Sequence, residues 1–487
     1  MMRYGSIING KERNEDNRET LAVHNPFNQD KVGELALANR TDLDEAVNNS
    51  FETFHSTMKF MPAHKRSDIL RRTADLLAER SEEFAETIVQ EAGKPIKYSR
   101  DEINRSIQVL RFASELAKNI TGEVLPMDAA IGGESRMGFV KHIPLGVVGA
   151  ITPFNFPLNL SLHKLAPAIA AGNTIVFKPA EKTPISAYKL VKLFQEAGLP
   201  DGVLNLLMGT GEEVGEPLVT HEKVHKITFT GSLPVGRKIR ESAGFKKVTL
   251  ELGSNSPNIL FEDAHIESAV KELVKGAFAF SGQVCISAQR VYVHKGIYEP
   301  FLSEYIKQTK ALKIGDPKEE DTEIGPMITE KEAKRAKEWI DDAVEKGAKI
   351  ETGGERNGTI LAPTIMTNVD RNMKIIAEEV FAPIVSVIPF ESEDEVIEYT
   401  NDSIYGLQAG VFTRDIDRAM RVADQLEMGG VWINEISTYR QDNHPYGGVK
   451  QSGIGKEGIK YAIEDMTEMK FIGIKLNTNH ERAASFG

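Results

Sequence analysis

The sequence predicts an α/β protein: a parallel sheet covered by helices on both faces, a second α/β region and a small β extension. Three observations predict it. Between residues 146 and 252, strand-like runs at 147–151, 174–177, 204–207, 226–229 and 247–250 alternate with helical ones, notably 158–171 and 184–197. Such alternation calls for parallel strands in one sheet. A region of the same kind begins near Ile266, with helices at 297–311 and 331–346 and strands at 291–293, 384–389, 409–413 and 431–434. Finally, 487 residues exceed what one hydrophobic core usually supports, so two or three domains are expected, with a boundary at 252–256.

The remaining elements follow in chain order. Short alternating patterns with turn signals at Asn9-Gly10 and Asn25-Pro26 predict strands over 5–37. Thr41 is placed to cap a helix whose first turn carries Asp42 and Asp44 and whose apolar side includes Ala46, Phe51 and Phe54. Ile69, Ala74, Leu76 and Leu77 mark the next helix, and 100–118 another, with Arg105 beside its apolar face. The stretch 122–141 reads as an extended hairpin turning at Gly132-Gly133, and 466–476 as a strand without a helical partner. Spare strands of this kind often complete a sheet in another subunit, so oligomerisation through these two segments is expected.

Composition narrows the function classes. The 41% hydrophobic and 27% charged content is that of a folded globular chain. With 59 basic against 71 acidic residues the net charge is −12, which disfavours a general nucleic-acid or anionic-membrane binder. One cysteine can form no internal disulfide and no cysteine cluster for zinc or iron–sulfur. The stretch HEKVH at 221–225 spells a zinc motif, but that motif needs a helix and this one runs into the strand predicted at Lys226. No metal is expected. The N-terminal residues MMRYGSIINGKERNED lack the apolar core of a signal peptide. The longest apolar run, 143–158, is broken by three prolines and is too short to span a bilayer. A cytoplasmic enzyme is expected.

Candidate chemistry gathers just beyond the strand ends, where the ligand crevice of a parallel sheet lies. Asn155 follows the first strand, Lys178 and Glu181 the second, Gly209 to Gly215 the third, Gly231 and Ser232 the fourth, and Glu251 the fifth. GTGEEVG has the spacing G-x-G-x-x-x-G, one residue longer than a dinucleotide fingerprint, and is weak evidence alone. TGSLPVG at 230–236 adds a hydroxyl and free N–H groups at a helix start, a phosphate seat. Lys178 and Glu181 can hold the two hydroxyls of a ribose, or form an ordinary loop ion pair. Glu251, among apolar neighbours, suits a general base, or a structural carboxylate on backbone amides. Asn155 offers the amide donor of an oxyanion hole, or a plain turn residue between two prolines. Cys285, in FSGQVCISAQR, sits at a helix-to-strand corner; a lone cysteine is usually a small buried hydrophobe.

Taken together these stretches resemble the aldehyde dehydrogenase superfamily. The matches are PFNFPL around Asn155, FKPAEKTP at Lys178, FTGSLPVG at Ser232, LELGSNSP at Glu251, GQVC at Cys285, EEVFAP at Glu379 and PYGGVKQSG at Gly447. They occur in the family's order and span nearly the whole chain. The resemblance implies a Rossmann-like NAD(P) domain (1–121 and 142–252), an α/β catalytic domain (253–465) and a small β bridging domain (122–141 and 466–487) that builds homodimers or homotetramers. It implies Cys285 as nucleophile, Asn155 as oxyanion donor and Glu251 as the base that hydrolyses a thioester. For the cofactor it implies Ile151, Thr152, Pro153, Phe154, Lys178, Ala180, Glu181, Gly211, Gly215, Phe229, Gly231, Ser232, Leu252, Glu379 and Phe381. A carboxylate at Glu181 would bond a free 2′-hydroxyl and repel a 2′-phosphate, so NAD is expected over NADP.

Departures bear on the substrate. LELGSNSP stands where many members have a second glycine and a lysine, and Phe154 where tryptophan is common. ELGSNSP with QVCISAQR is similar to the branch holding lactaldehyde, phosphonoacetaldehyde and non-phosphorylating glyceraldehyde-3-phosphate dehydrogenases. In that branch arginines at the positions of Arg105 and Arg440 can face an anionic substrate group. Val284 precedes the cysteine where phosphate-binding relatives carry arginine. A small hydroxylated or singly anionic aldehyde is therefore expected. The alternatives are succinate semialdehyde, glyceraldehyde 3-phosphate, a CoA-acylating reaction, or a silent scaffold on the same fold.

Overall fold

The computed structural model describes residues 2–476. Its first sheet has eight strands, in the order Gly453–Ile454, Lys247–Glu251, Val224–Thr230, Val147–Ile151, Thr174–Lys178, Leu204–Leu206, Ser6–Ile8 and Lys11–Arg13. The five strands between Lys247–Glu251 and Leu204–Leu206 are parallel. From Val147–Ile151 the chain winds outward one way and then returns to build the other half. The switch point therefore falls between Val147–Ile151 and Val224–Thr230, and a crevice opens beyond their carboxyl ends.

Local sequence explains these elements. VVGAI at Val147–Ile151 is buried throughout, as a strand covered on both faces requires. All of helix Asn159–Ala171 is buried, and Gly172 closes it in the left-handed region at φ 91°. Helix Pro184–Glu196 opens on proline, and buried Glu91 accepts from the N–H groups of Ile185 (2.7 Å) and Ser186 (3.1 Å). Helix Arg40–Ser56 starts one residue before the expected cap. Asn39, not Thr41, caps it, because Asn39 Oδ1 accepts from Asp42 N while the Asp42 carboxylate accepts from Asn39 N.

The second sheet runs Lys349–Thr352, Thr364–Thr367, Ile384–Phe390, Ala288–His294, Ser256–Leu260, Gln408–Phe412 and Gly430–Ile433, parallel except at its first edge. Ser256–Leu260, which was not predicted as a strand, is a central, buried one. Its proline would ordinarily exclude that placement. A register irregularity between Ser256 and Pro257 accommodates it.

A third sheet pairs Glu123–Leu125 with Arg136–Pro144, forming the hairpin expected at 122–141. Thr467–Lys475 lies antiparallel on the other side of Arg136–Pro144, so the spare strand at 466–476 finds a partner within its own chain. Residues 477–487 of the expected oligomerisation segment lie outside the described residues. The end of the 253–465 span also returns to the first sheet. Gly453–Ile454 pairs with Lys247–Glu251, while Ile459 and Ile463 enter the apolar core around helix Asn159–Ala171. Among the described residues no helix is long and apolar enough to cross a membrane.

Candidate active site

Helix Ile266–Phe278 ends just before Cys285, and the chain then takes three successive left-handed residues, Phe280 (φ 49°), Ser281 (φ 54°) and Gly282 (φ 68°). Each non-glycine residue there costs about 1–2 kcal/mol, so the turn must be held from outside. Ser281 Oγ donates to the Gly325 carbonyl at 2.8 Å, and the Gln283 side chain donates to Pro326 O and accepts from Ile328 N. A β-carbon on Gly282 would stand 2.2 Å from the Ala382 carbonyl oxygen. The turn delivers Cys285, half-buried, to the wall of a cleft of about 390 Å³. Its sulfur is 3.1 Å from the Tyr446 hydroxyl. Burial pushes the thiol up to about 11, against the Tyr446 hydrogen bond and the Arg440 charge.

Asn155 and Glu251 come to the same place from the first sheet. Asn155 Nδ2 donates to the Gln283 carbonyl at 2.9 Å, two residues before the cysteine. That commits one amide hydrogen and leaves the second. Glu251 is buried with both carboxylate oxygens unpartnered among the described residues, and a β-carbon on Gly447 would lie 2.7 Å from Oε1. Gly447 is thus small enough to let the loop after Tyr446 close over the carboxylate. Burial, reinforced by the charge of Glu457, holds the Glu251 carboxyl well above the usual range. Unpartnered buried carboxylates are rare and mark chemistry more often than packing.

Arg105 and Arg440 both line the cleft, and each already holds a carboxylate. Arg105 makes two bonds to Asp442, which also binds His163 Nε2 at 2.8 Å. Arg440 binds Glu457 at 3.0 Å and stacks 3.6 Å from the centre of the Tyr446 ring. Glu457 is further bound by Lys164 at 2.7 Å. Burial opposes its charge, yet Lys164, His163 and Arg440 hold it down at about 2.

The switch-point crevice, about 790 Å³, is lined by Ile151, Thr152, Pro153, Lys178, Ala180, Glu181, Gly211, Gly215, Phe229 and Gly231. Lys178 Nζ and Glu181 Oε1 are 2.8 Å apart. Ser232 precedes helix Leu233–Ser242 and its side chain makes no capping bond, leaving the helix's first N–H groups available to an anion. Gly211–Gly215 forms one wide π-type turn before helix Glu216–Thr220, which takes up the extra residue in its glycine spacing. Phe154 meets Phe381 edge-to-face at 6.0 Å. Glu379 accepts from Ser254 N at 3.1 Å, and its burial raises it to about 7. Leu252 departs from the group: its side chain packs under Gly236 and lines a separate small cavity. The HEKVH stretch crosses a turn into strand Val224–Thr230, so its histidines share no helix face.

Sequence reasoning missed the residues that support the site: Tyr446, His163, Lys164, Asp442, Glu457 and the buried pair Lys94–Glu102. Glu102 accepts from Leu158 N and Asn159 N, fixing the start of helix Asn159–Ala171, and the Lys94 ammonium lies 3.7 Å from the centre of the Phe156 ring. One signal was available. His163-Lys164 is a polar pair inside the otherwise apolar run LSLHKLAPAIAA, where burial demands partners.

A switch-point crevice, with Asn155 bonded to the turn before Cys285 and Glu251 close enough for its charge to act on the sulfur, defines the class. Residues 13–472 match the aldehyde dehydrogenase family, and the chain belongs to it. It is thus an enzyme of the oxidoreductase class. Among its relatives is the 3-sulfolactaldehyde dehydrogenase of Priestia aryabhattai, 49% identical over 97% of this chain and 98% of that protein. The lactaldehyde dehydrogenase of Methanocaldococcus jannaschii is 42% identical over 94% of this chain and 97% of that one. Among solved structures, glyceraldehyde-3-phosphate dehydrogenase GapN from the same archaeon, complexed with NADP, superposes with a TM-score of 0.91 at 42% identity. It covers 94% of this chain and all (100%) of that one.

Proposed function

We propose that this chain oxidises a small hydroxylated or singly anionic aldehyde to its carboxylic acid, with NAD as the hydride acceptor. The observation that carries it is the convergence of Cys285, Asn155 and a buried Glu251 that has no partner among the described residues. The thiolate of Cys285 adds to the aldehyde carbon, and the resulting oxyanion is held by Asn155 Nδ2 and the Cys285 backbone N–H. A dinucleotide held in the crevice would supply the hydride acceptor, so that loss of hydride from the former aldehyde carbon would leave a thioester on Cys285. Glu251 removes a proton from water, the hydroxide attacks the thioester carbon, and the carbon–sulfur bond breaks to release the acid and the thiolate.

The crevice residues fit a dinucleotide. The open N-terminus of Leu233–Ser242 suits a pyrophosphate, and the side chains of Lys178 and Glu181 suit the adenine ribose. Glu379, approached closely by Gly253, suits the second ribose. Because Glu181 would meet the 2′ position, Glu181→Ala is expected to shift the NAD:NADP ratio of kcat/KM toward NADP by about tenfold. Steady-state kinetics with each cofactor check this; an unchanged ratio places the discriminating contact elsewhere. Asn155→Ala is expected to lower kcat by about 10²–10³ with little change in cofactor binding. Stopped-flow hydride transfer together with cofactor titration checks that.

Substrate class follows from charge balance. Lys94, Arg105, Lys275 and Arg440 line the cleft beside Asp101, Glu102, Glu272 and Glu435, and both arginines are paired. Such a wall has little uncompensated positive charge for a doubly charged phosphate. The names of the two relatives, 3-sulfolactaldehyde and lactaldehyde dehydrogenase, span the class proposed: a hydroxyaldehyde with one negative charge or none. Turnover of lactaldehyde, 3-sulfolactaldehyde, succinate semialdehyde and glyceraldehyde 3-phosphate, followed at the absorbance of the reduced cofactor, tests the reading. The first two should exceed the phosphorylated aldehyde by at least about tenfold in kcat/KM. No turnover of any aldehyde, with or without coenzyme A, would sink the enzyme reading.

The cofactor and catalytic regions divide as 1–121 with 142–252, and 253–465, with 453–465 packing back on the first. We further infer a cytoplasmic homodimer or homotetramer joined through the third sheet. Its exposed Val124, Met137, Met469 and Phe471 support this. Light scattering giving a monomer mass would refute it.

A further inference from the structure

Tyr446 places its hydroxyl within hydrogen-bond distance of the Cys285 sulfur, and nothing in the mechanism above uses it. Its hydroxyl lies 3.1 Å from Sγ and has no second hydrogen-bond partner among the described residues. The side chain is buried, packed with Val284, Ile286 and Leu407, and the Arg440 guanidinium lies over its ring face. Its backbone is fixed as well, by reciprocal bonds between Tyr446 and Glu457, whose carboxylate in turn binds Arg440 and Lys164. The hydroxyl is therefore held from the ring, the backbone and the stacked cation, and its single hydrogen has one place to go. A buried hydroxyl rarely leaves its hydrogen unmade, and a thiolate is a far better acceptor than a thiol.

We propose that Tyr446 is a positioning residue for the nucleophile: its hydroxyl donates to Sγ, favouring the thiolate and holding the sulfur against the cleft wall, while the Arg440 stack polarises the O–H. The inference rests on the reading of Cys285 as nucleophile. The charged groups acting on the sulfur are Arg440, which favours the thiolate, and Glu379 and Glu251, which oppose it. Around the phenol, Arg440 favours ionisation, while burial and the charges of Cys285 and Glu251 oppose it and keep the group a donor. Once sulfur bonds to carbon it becomes a poor acceptor, so the hydrogen bond favours the free thiolate on both sides of the covalent stage.

The chain has one cysteine, so alkylation of the whole protein reports on this sulfur alone. Tyr446→Phe keeps the ring and its stack and removes only the hydroxyl. The iodoacetamide rate, followed by mass spectrometry between pH 7 and 9, is expected to fall about threefold to tenfold. Loss of a charge-assisted bond lowers the thiolate fraction, partly offset by the greater nucleophilicity of a more basic thiolate. A purely steric role predicts the opposite, since losing an atom beside Sγ opens access to it. Unchanged or faster alkylation, in a variant whose melting temperature matches the parent, overturns the proposal. The outcome is separable from the nucleophile reading, because alkylated parent protein retaining dehydrogenase activity would overturn that reading whatever Tyr446→Phe does.

Discussion

Cys285→Ser is expected to lower kcat by at least about four orders of magnitude, the scale seen when a covalent nucleophile is removed. The replacement is nearly isosteric, so the braced turn at Phe280, Ser281 and Gly282 should survive and melting should be unchanged within a few degrees. The chemistry should not survive. A serine hydroxyl is far less acidic than a thiol and needs an adjacent base. The hydrogen-bond partner of Sγ is the Tyr446 hydroxyl, which burial keeps protonated, and the Glu251 carboxylate makes no hydrogen bond to it. Nothing at the position can therefore activate serine. The check is a single-turnover experiment at the absorbance of the reduced cofactor. The parent should give one equivalent of fast product formation and the variant none. Mass spectrometry should show one alkylation on the parent and none on the variant. Turnover retained at even a hundredth of the parent rate would remove Cys285 from the mechanism.

Much of this site was legible because its residues follow strand ends. Ile151, Lys178, Phe229 and Glu251 each stand at or next to the carboxyl end of a parallel strand, where topology alone assigns a ligand crevice. The strands themselves were legible as apolar runs. Ser256–Leu260 was not, because SPNIL carries a serine and a proline whose cost is met by a register irregularity that only neighbouring strands can supply. Asn39 displaced Thr41 as a helix cap for a related reason: the capping bond depends on where the preceding chain leaves the helix. The Tyr446, Asp442 and Glu457 contacts were out of reach altogether. Asp442 and Glu457 join the chain after residue 440 to helix Asn159–Ala171 (Asp442 with His163, a separation of 279), Tyr446 reaches back to Cys285 across 161 residues, and no periodicity encodes such pairs.

Glu251→Gln is the second large effect, and it separates two steps that Cys285→Ser abolishes together. Formation of the thioester needs no base at Glu251, so a burst of about one equivalent of reduced cofactor should remain. Hydrolysis needs that base, so the steady state should slow by about 10²–10³. The pH dependence identifies the group. Glu251 lies buried without a hydrogen-bond partner among the described residues and close enough to Glu457 to feel its charge, so its proton is held well above the usual carboxylate range. Only the ionised form can take a proton from water, hence the hydrolysis-limited rate of the parent should rise with pH through that raised value, and Glu251→Gln should lose the rise. Glu457 cannot supply it, being ionised from about pH 2 upward. Stability carries the same sign. A carboxyl whose folded pKa lies above its unfolded one contributes stability that is complete below the unfolded value and is lost as pH rises through the folded value. Glutamine is neutral throughout, so the melting temperature of Glu251→Gln should fall less between pH 5 and 9 than that of the parent. A missing burst would put Glu251 before the thioester, and parallel melting curves would mean that the parent carboxylate is not the buried base whose oxygens find no partner among the described residues.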